Sequence, residues 1–267
     1  ITLTGGMVED NGGAVFVNGG NLTVSNAIFR ENKATNGGAI YVAGTANITN
    51  SAFISNDPDN GGAIYVAGTA NIESNQFTSN NATYGGAIYV NSASDVSISS
   101  NTFEGNTADE GEAIYIENGA VSLSENTISD GQTIYLGGGT VNSILIFLAN
   151  STVNADFGET VTLTATLTDD QGNPIEGGNV VFTANGETVA TVPNNGGTIE
   201  TSYVVPSDAT ADILISGSFS LDNGGVVATG VVHPAISYWF IEGGIGYETL
   251  AEAVAAANAG DVIYGVP

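Results

Sequence analysis

The sequence predicts an all-β chain in two parts, a parallel β-helix over residues 1–142 and a β-sandwich over 143–235, followed by a capping helix and strand at 236–267. Three observations predict it. A glycine pair leading into an apolar run recurs with first glycines at 12, 37, 61, 85 and 111, which are 25, 24, 24 and 26 residues apart. A Phe-x-x-Asn motif recurs in phase with it, at Phe29, Phe53, Phe77 and Phe103. Near residue 145 this repeat stops and gives way to alternating strands punctuated by turn clusters. A repeat of this length, holding short β-branched runs and no helical periodicity, fits one coil of a parallel β-helix.

Within a coil the alternation sets the inside and the outside. The runs are Gly12-Gly13-Ala14-Val15-Phe16-Val17, its counterparts from Gly37, Gly61 and Gly85, the degenerate Gly111-Glu112-Ala113-Ile114-Tyr115-Ile116, and an echo at Thr133-Ile134-Tyr135-Leu136. In Ile40-Tyr41-Val42 the β-branched residues point one way and Tyr41 the other, and Ile48 and Phe53 continue the inner set. Coils stack at about 4.8 Å, so equivalent residues lie directly above one another. The predicted inner ladders are Val15/Ile40/Ile64/Ile88/Ile114/Ile134 and Phe29/Phe53/Phe77/Phe103/Ile128. Asn32, Asn56, Asn80 and Asn106 follow each Phe by three residues, which predicts a turn interior lined by side-chain amides that bond from coil to coil. The glycine pairs answer a different need, positive φ or close backbone approach at a tight bend. Glu112 in place of the second glycine, and Ile128 in place of Phe, mark coils near the end of the solenoid.

From Ile144 the strands are separated by turns every eight to twelve residues, as in a sandwich. Val161, Leu163, Ala165 and Leu167 alternate with threonines, Asp169-Asp170-Gln171-Gly172-Asn173-Pro174 is a turn, and further strands are expected at 180–182, 199–205, 213–215 and 226–232. Thr249-Leu250-Ala251-Glu252 reads as a capping box opening an alanine-rich helix that ends at Ala259-Gly260, with a strand at Asp261-Val262-Ile263-Tyr264.

Composition narrows the function. The chain has 267 residues, 2 basic against 28 acidic, and a net charge of −26. Such a surface repels phosphate backbones and anionic lipid heads, so neither nucleic acid nor a membrane surface is an expected partner. No apolar stretch approaches the roughly 18 residues of a bilayer span. Cysteine is absent, which removes disulfides, thiol chemistry and sulfur-ligated metals.

The paired Gly-Gly-Ala-[Ile/Val] and Phe-x-x-Asn motifs resemble the repeats of chlamydial polymorphic outer-membrane proteins and, more closely, those of adhesin-like surface proteins of methanogenic archaea. The resemblance covers about residues 1–136 and implies a right-handed parallel β-helix displayed at a cell surface; it departs from the chlamydial pattern in having no outer-membrane barrel. The passage GETVTLTATLTDDQGNPIEGGNVVFTANG resembles bacterial immunoglobulin-like domains of surface proteins, over about 143–235, which implies a spacer with no activity of its own. The stretch YETLAEAVAAANAGDVIYGVP is similar to the entry segment of many β-helix domains, where a short helix caps the open end before the first coil.

Candidate chemistry is sparse. Arg30 and Lys33 are the only bases available for a polysaccharide lyase and sit beside Glu31, while Asp109, Glu110 and Glu112 are the only carboxylates drawn together for glycoside hydrolysis, on a turn where acids serve solubility. His233, the single histidine, precedes Pro234 and reads as a linker residue rather than a zinc ligand. No cofactor is expected; calcium is the one open alternative, through Asp57-Pro58-Asp59-Asn60 or Asp169-Asp170, although neither matches a spaced calcium loop. The outward line Phe16, Tyr41, Tyr65, Tyr89, Tyr115 and Tyr135 is the main candidate for ligand binding, with flank stabilisation as the plainer alternative. Sequons at Asn21, Asn47, Asn81 and Asn150 allow N-glycosylation. Ile1 and Leu3 at one end and Leu250, Val254 and Ile263 at the other are apolar residues suited to head-to-tail self-assembly. The expectation is a non-enzymatic extracellular surface protein, an adhesin for glycans or proteins of another cell or the subunit of a head-to-tail surface fibre. A purely structural filament or sheath protomer and a glycan-active β-helix enzyme remain the alternatives.

Overall fold

The computed structural model describes residues 1–267 except 93–94, 208, 210, 222–223, 235–238, 242–245, 248–249 and 266–267. Each coil contributes one short strand to each of three parallel sheets. The first contains Thr2–Thr4, Ile28–Arg30, Ala52–Ile54, Gln76–Thr78, Thr102–Glu104 and Thr127–Ile128. Val15–Val17, Ile40–Val42, Ile64–Val66, Ile88–Asn91, Ile114–Asn118 and Ile134–Leu136 stack in the second, and Asn21–Ser25, Thr45–Thr49, Thr69–Glu73, Val96–Ser99, Ala120–Ser124 and Thr140–Val141 in the third.

Both expected ladders form in register, Phe29 on Phe53, Phe77 and Phe103, and Ile40 on Ile64, Ile88, Ile114 and Ile134, with every one of these side chains buried. Val15 and Ile128 are only half-buried, because the first belongs to an edge strand and the second to the last coil of its sheet. A third ladder, Val24/Ile48/Ile72/Ile98/Leu123, completes the interior.

The glycine columns divide the two tasks expected of them. Gly37 and Gly85 hold φ near +64°, a conformation that strains any L side chain. At the second glycines the constraint is space: a Cβ on Gly62 would sit 1.7 Å from the Gly86 carbonyl oxygen, and one on Gly38 2.5 Å from that of Gly62. Glu112 escapes this constraint, because the next coil enters its strand through the turn at Asp130-Gly131 rather than another glycine pair.

Beyond the coils the second sheet continues without a break. Strand Ile134–Leu136 pairs in parallel with Ile175–Ala184, which then runs antiparallel to Ile213–Leu221 and Glu187–Asn195, and Ile213–Leu221 to Gly224–Pro234. The boundary drawn at 142/143 is therefore crossed by one eleven-stranded sheet. A second sheet of Leu145–Leu148, Thr160–Thr168 and Ile199–Val204 turns Val161, Leu163, Ala165 and Leu167 inward, as the alternation with threonine requires, onto Val180, Phe182, Ile215 and Phe219. Coils and sheets share one apolar core.

Near the C-terminus, Trp239–Ile241, Gly246–Tyr247 and Ile263–Gly265 form a small antiparallel sheet beside the helix Leu250–Ala256. The helix stops short of the expected Ala259: the Asn258 amide donates to Asp261 Oδ2 at 2.7 Å and turns the chain away. The expected cap residue Thr249 lies outside the described residues.

Candidate functional site: the tyrosine flank

In the second sheet the residues between buried Ile and Val must face outward, and the parallel register places them in one file. Ring centroids are 5.0 Å apart for Tyr41–Tyr65, 4.8 Å for Tyr65–Tyr89, and 5.0 Å for both Tyr89–Tyr115 and Tyr115–Tyr135, with planes within 14° of parallel. Phe16 closes the file, tilted by 47° on Tyr41. The ring faces are therefore spent on one another, and what remains for a ligand is a row of ring edges and hydroxyls. Tyr89 is buried, at 8% exposure, whereas Tyr41, Tyr65, Tyr115 and Tyr135 are half-exposed.

Acids and amides border this row. The Tyr89 hydroxyl donates to Glu117, while Asn91 lies close enough to Tyr65, and Glu110 to Tyr135, to act on their phenols. Burial raises the phenols of Tyr65, Tyr89 and Tyr135 and pushes Tyr115 up to about 12, with neighbouring carboxylates adding to the effect. These four phenols consequently stay protonated at any physiological pH.

Behind the flank, two amide ladders fix the coils. Asn32, Asn56, Asn80 and Asn106 are buried; each Nδ2 donates to the next Oδ1 at 2.9–3.0 Å, and Gln132 Oε1 terminates the series. The same Oδ1 atoms accept backbone N–H groups, as from Asn32 to Asn56 at 3.1 Å. A second ladder, Asn75, Asn101 and Asn126 with Ser51 before it, went unread, although an Asn two residues before Phe77 and Phe103 signals it. Glu117, Asn91 and Glu176 also went unread, because no repeat position announces them.

The other candidates are placed as follows. Arg30 is paired with Glu31 at 2.7 Å, and Lys33 with Asp57 at 3.2 Å. The Asn81 amide and then Lys33 hold the Asp57 carboxyl below the usual carboxylate range against the effect of burial. Of the acids at 109–112, Glu110 lies close enough to Tyr135 to raise its phenol, whereas Glu112 accepts from the Thr133 amide and hydroxyl. His233 is not in a linker: it lies inside strand Gly224–Pro234 with Nδ1 2.7 Å from Asp212. In the calcium candidates, Asn60 joins a chain of amides to Asn36, and the Asp169 carboxylate is occupied by the N–H groups of Gln171 and Asn173 and by the Asn173 amide. Among the described residues no three acidic or histidine side chains gather in a metal shell.

Sequons Asn21, Asn47, Asn81 and Asn150 are all exposed. Of the self-assembly candidates Ile1, Leu250 and Val254 are exposed at 86%, 46% and 57%, while Leu3 and Ile263 are half-buried in strands of separate sheets. A shallow polar groove of about 370 Å³ crosses Asn26, Asn50, Ser74 and Gln76, and another of about 500 Å³ lies between Met7, Val8, Lys33 and Asp59.

A solenoid of three parallel sheets with an aromatic flank defines the class of protein. The family described as "Right handed beta helix region" matches residues 8–168, more than half of the chain, and the chain belongs to that family. No curated protein matches it. Among solved structures, the crystal structure of an engineered protein at 1.98 Å resolution matches with 11% identity and a TM-score of 0.27. That match covers 42% of this chain and 22% of that one, so the chain spans about a fifth of its length and the likeness carries no argument.

Proposed function

We propose that this protein is a non-enzymatic extracellular surface protein, in which the β-helix presents its tyrosine flank to a glycan or protein of another cell and an immunoglobulin-like sandwich acts as the spacer. The observation that carries this reading is the unbroken tyrosine file on the outside of the second sheet. The family includes surface proteins and glycan-active enzymes alike. In favour of the non-enzymatic reading, both basic side chains, the candidates for a lyase base, are engaged in ion pairs with neighbouring acids. The test is to offer a panel of plant, microbial and host polysaccharides and to record binding and product release together. Binding without new reducing or unsaturated ends supports the proposal, and release of either overturns it.

A self-assembling filament protomer is the second reading. It is favoured by the helix Leu250–Ala256, which buries Ala253 but leaves Leu250 and Val254 exposed beside exposed Val262 and Tyr264. Concentration-dependent sedimentation that disappears on deleting residues 239–267 supports it; polymers that persist after the deletion exclude this contact.

A further inference from the structure

The last coil is joined to the following strand by very little backbone. Only Ile134↔Ile175 and Tyr135↔Glu176 pair across the junction, and Gly177 lets the strand come close, since a Cβ there would lie 2.3 Å from the Leu136 carbonyl oxygen. Side chains add further polar links, among them Asn173 Nδ2, which donates to the Asn126 carbonyl at 3.2 Å. Glu112 Oε2 lies 3.0 Å from the Thr133 amide nitrogen and 2.7 Å from Thr133 Oγ1, and Glu176 Oε2 lies 3.0 Å from the same Oγ1.

A threonine hydroxyl carries one hydrogen and can donate to one acceptor. With both glutamates ionised, one of the two contacts would set lone pair against lone pair. A proton on Glu176 resolves it: the acid donates to Thr133 Oγ1, and Thr133 donates to the Glu112 carboxylate. We propose that Glu112, Thr133 and Glu176 form a proton-dependent clasp between the last coil and strand Ile175–Ala184, closed when Glu176 is protonated and loosened when it ionises.

The surroundings favour the proton. Burial raises the Glu176 carboxyl above its ordinary value, the Thr133 bond opposes this, and repulsion from Glu112 and then Glu110 reinforces it. Tyr135, aligned with Glu176 across the junction, has its own phenol raised and remains neutral. Both basic residues are engaged with acids on earlier turns, Arg30 with Glu31 and Lys33 with Asp57. For an acid whose folded value is raised, the extra stability is complete below the ordinary carboxylate range and is lost as pH rises through the raised value. The junction is thus firmest below the ordinary carboxylate range and loosens as pH rises through the raised Glu176 value.

Carboxyl-detected NMR titration of the 267-residue chain tests this, together with amide exchange at Thr133 and Ile134 referenced to Ile88 in mid-solenoid. Glu176 is expected to titrate above ordinary glutamates. Protection of Thr133 and Ile134 should fall as pH rises through that midpoint, by about tenfold for each unit by which the midpoint is raised. Glu176→Gln, whose amide donates to Thr133 at every pH, should abolish the pH dependence, and Glu112→Gln should lower the Glu176 midpoint. A Glu176 midpoint at or below the ordinary value, or a Glu176→Gln chain with the parental pH dependence, overturns the clasp.

Discussion

The coils and the sheets that follow them share one apolar core but are specified in opposite ways. In the coils many buried positions are occupied by the same or a similar residue one turn later, so Phe53 meets Phe29 and Phe77, and Asn56 meets Asn32 and Asn80. In the sheets beyond the coils the neighbours follow no repeat: Phe182 aligns with Ala190 on one side and Gly217 on the other. Repetition lets a few residue types close every coil, but it binds each of them to two copies of itself. A defect in mid-solenoid therefore disturbs three coils, whereas one at the edge disturbs fewer.

The largest expected effect sharpens this contrast. Phe53→Ala removes the centre of a stack of rings about 5 Å apart and should destabilise by roughly 3–5 kcal/mol in chemical denaturation, whereas the half-buried Ile128→Ala should cost about 1–2 kcal/mol. Equal costs would break the comparison.

Asn80→Ala comes next. It removes the acceptor for the Asn56 N–H and Nδ2 and the donor to the Phe53 carbonyl, all buried, which should cost roughly 2–4 kcal/mol. The exposed amide pair from Asn71 to Asn47 has the same chemistry in water, so Asn47→Ala should stay within about 0.5 kcal/mol. Denaturation midpoints of the two variants check whether burial, rather than repetition, sets the cost.

The smallest effect concerns pH. Asp57, held below the usual carboxylate range mainly by Asn81 and then by Lys33, contributes stability that is present above that range and lost as pH falls through its lowered value. Its carboxylate is more than half exposed, so the contribution should be about 0.5 kcal/mol or less, with a sign opposite to that of the junction clasp. A denaturation series of Asp57→Asn against the parent between neutral and acid pH measures it.

Much of the solenoid was legible because a solenoid writes its geometry into period and phase. The spacing of Phe29, Phe53, Phe77 and Phe103 gave one ladder, and Asn32, Asn56, Asn80 and Asn106 gave the amide series. The join to the strands beyond the coils was not legible, since Ile134 meets Ile175 through a single parallel strand pairing that has no repeat to announce it. Nor could the sequence show that the tyrosine faces are consumed by stacking: alternation places Tyr41 and Tyr65 outside, but only the 5.0 Å centroid distance shows what is left for a ligand. His233 was misread as a linker residue because Pro234 looked like an exit, while the strand runs through both.

That distinction between ring faces and hydroxyls leads to the most direct measurement. Tyr41→Phe, Tyr65→Phe and Tyr115→Phe, combined in one chain, keep the aromatic stack and remove three half-exposed hydroxyls; Tyr89 is left in place because its hydroxyl is bonded to Glu117. On whichever glycan or cell surface the parent binds, the triple variant should lose affinity at least about tenfold, close to the worth of one or two net hydrogen bonds, with its unfolding midpoint little changed. Parental affinity in the triple variant would contradict the recognition role and leave the tyrosine file as a structural stack alone.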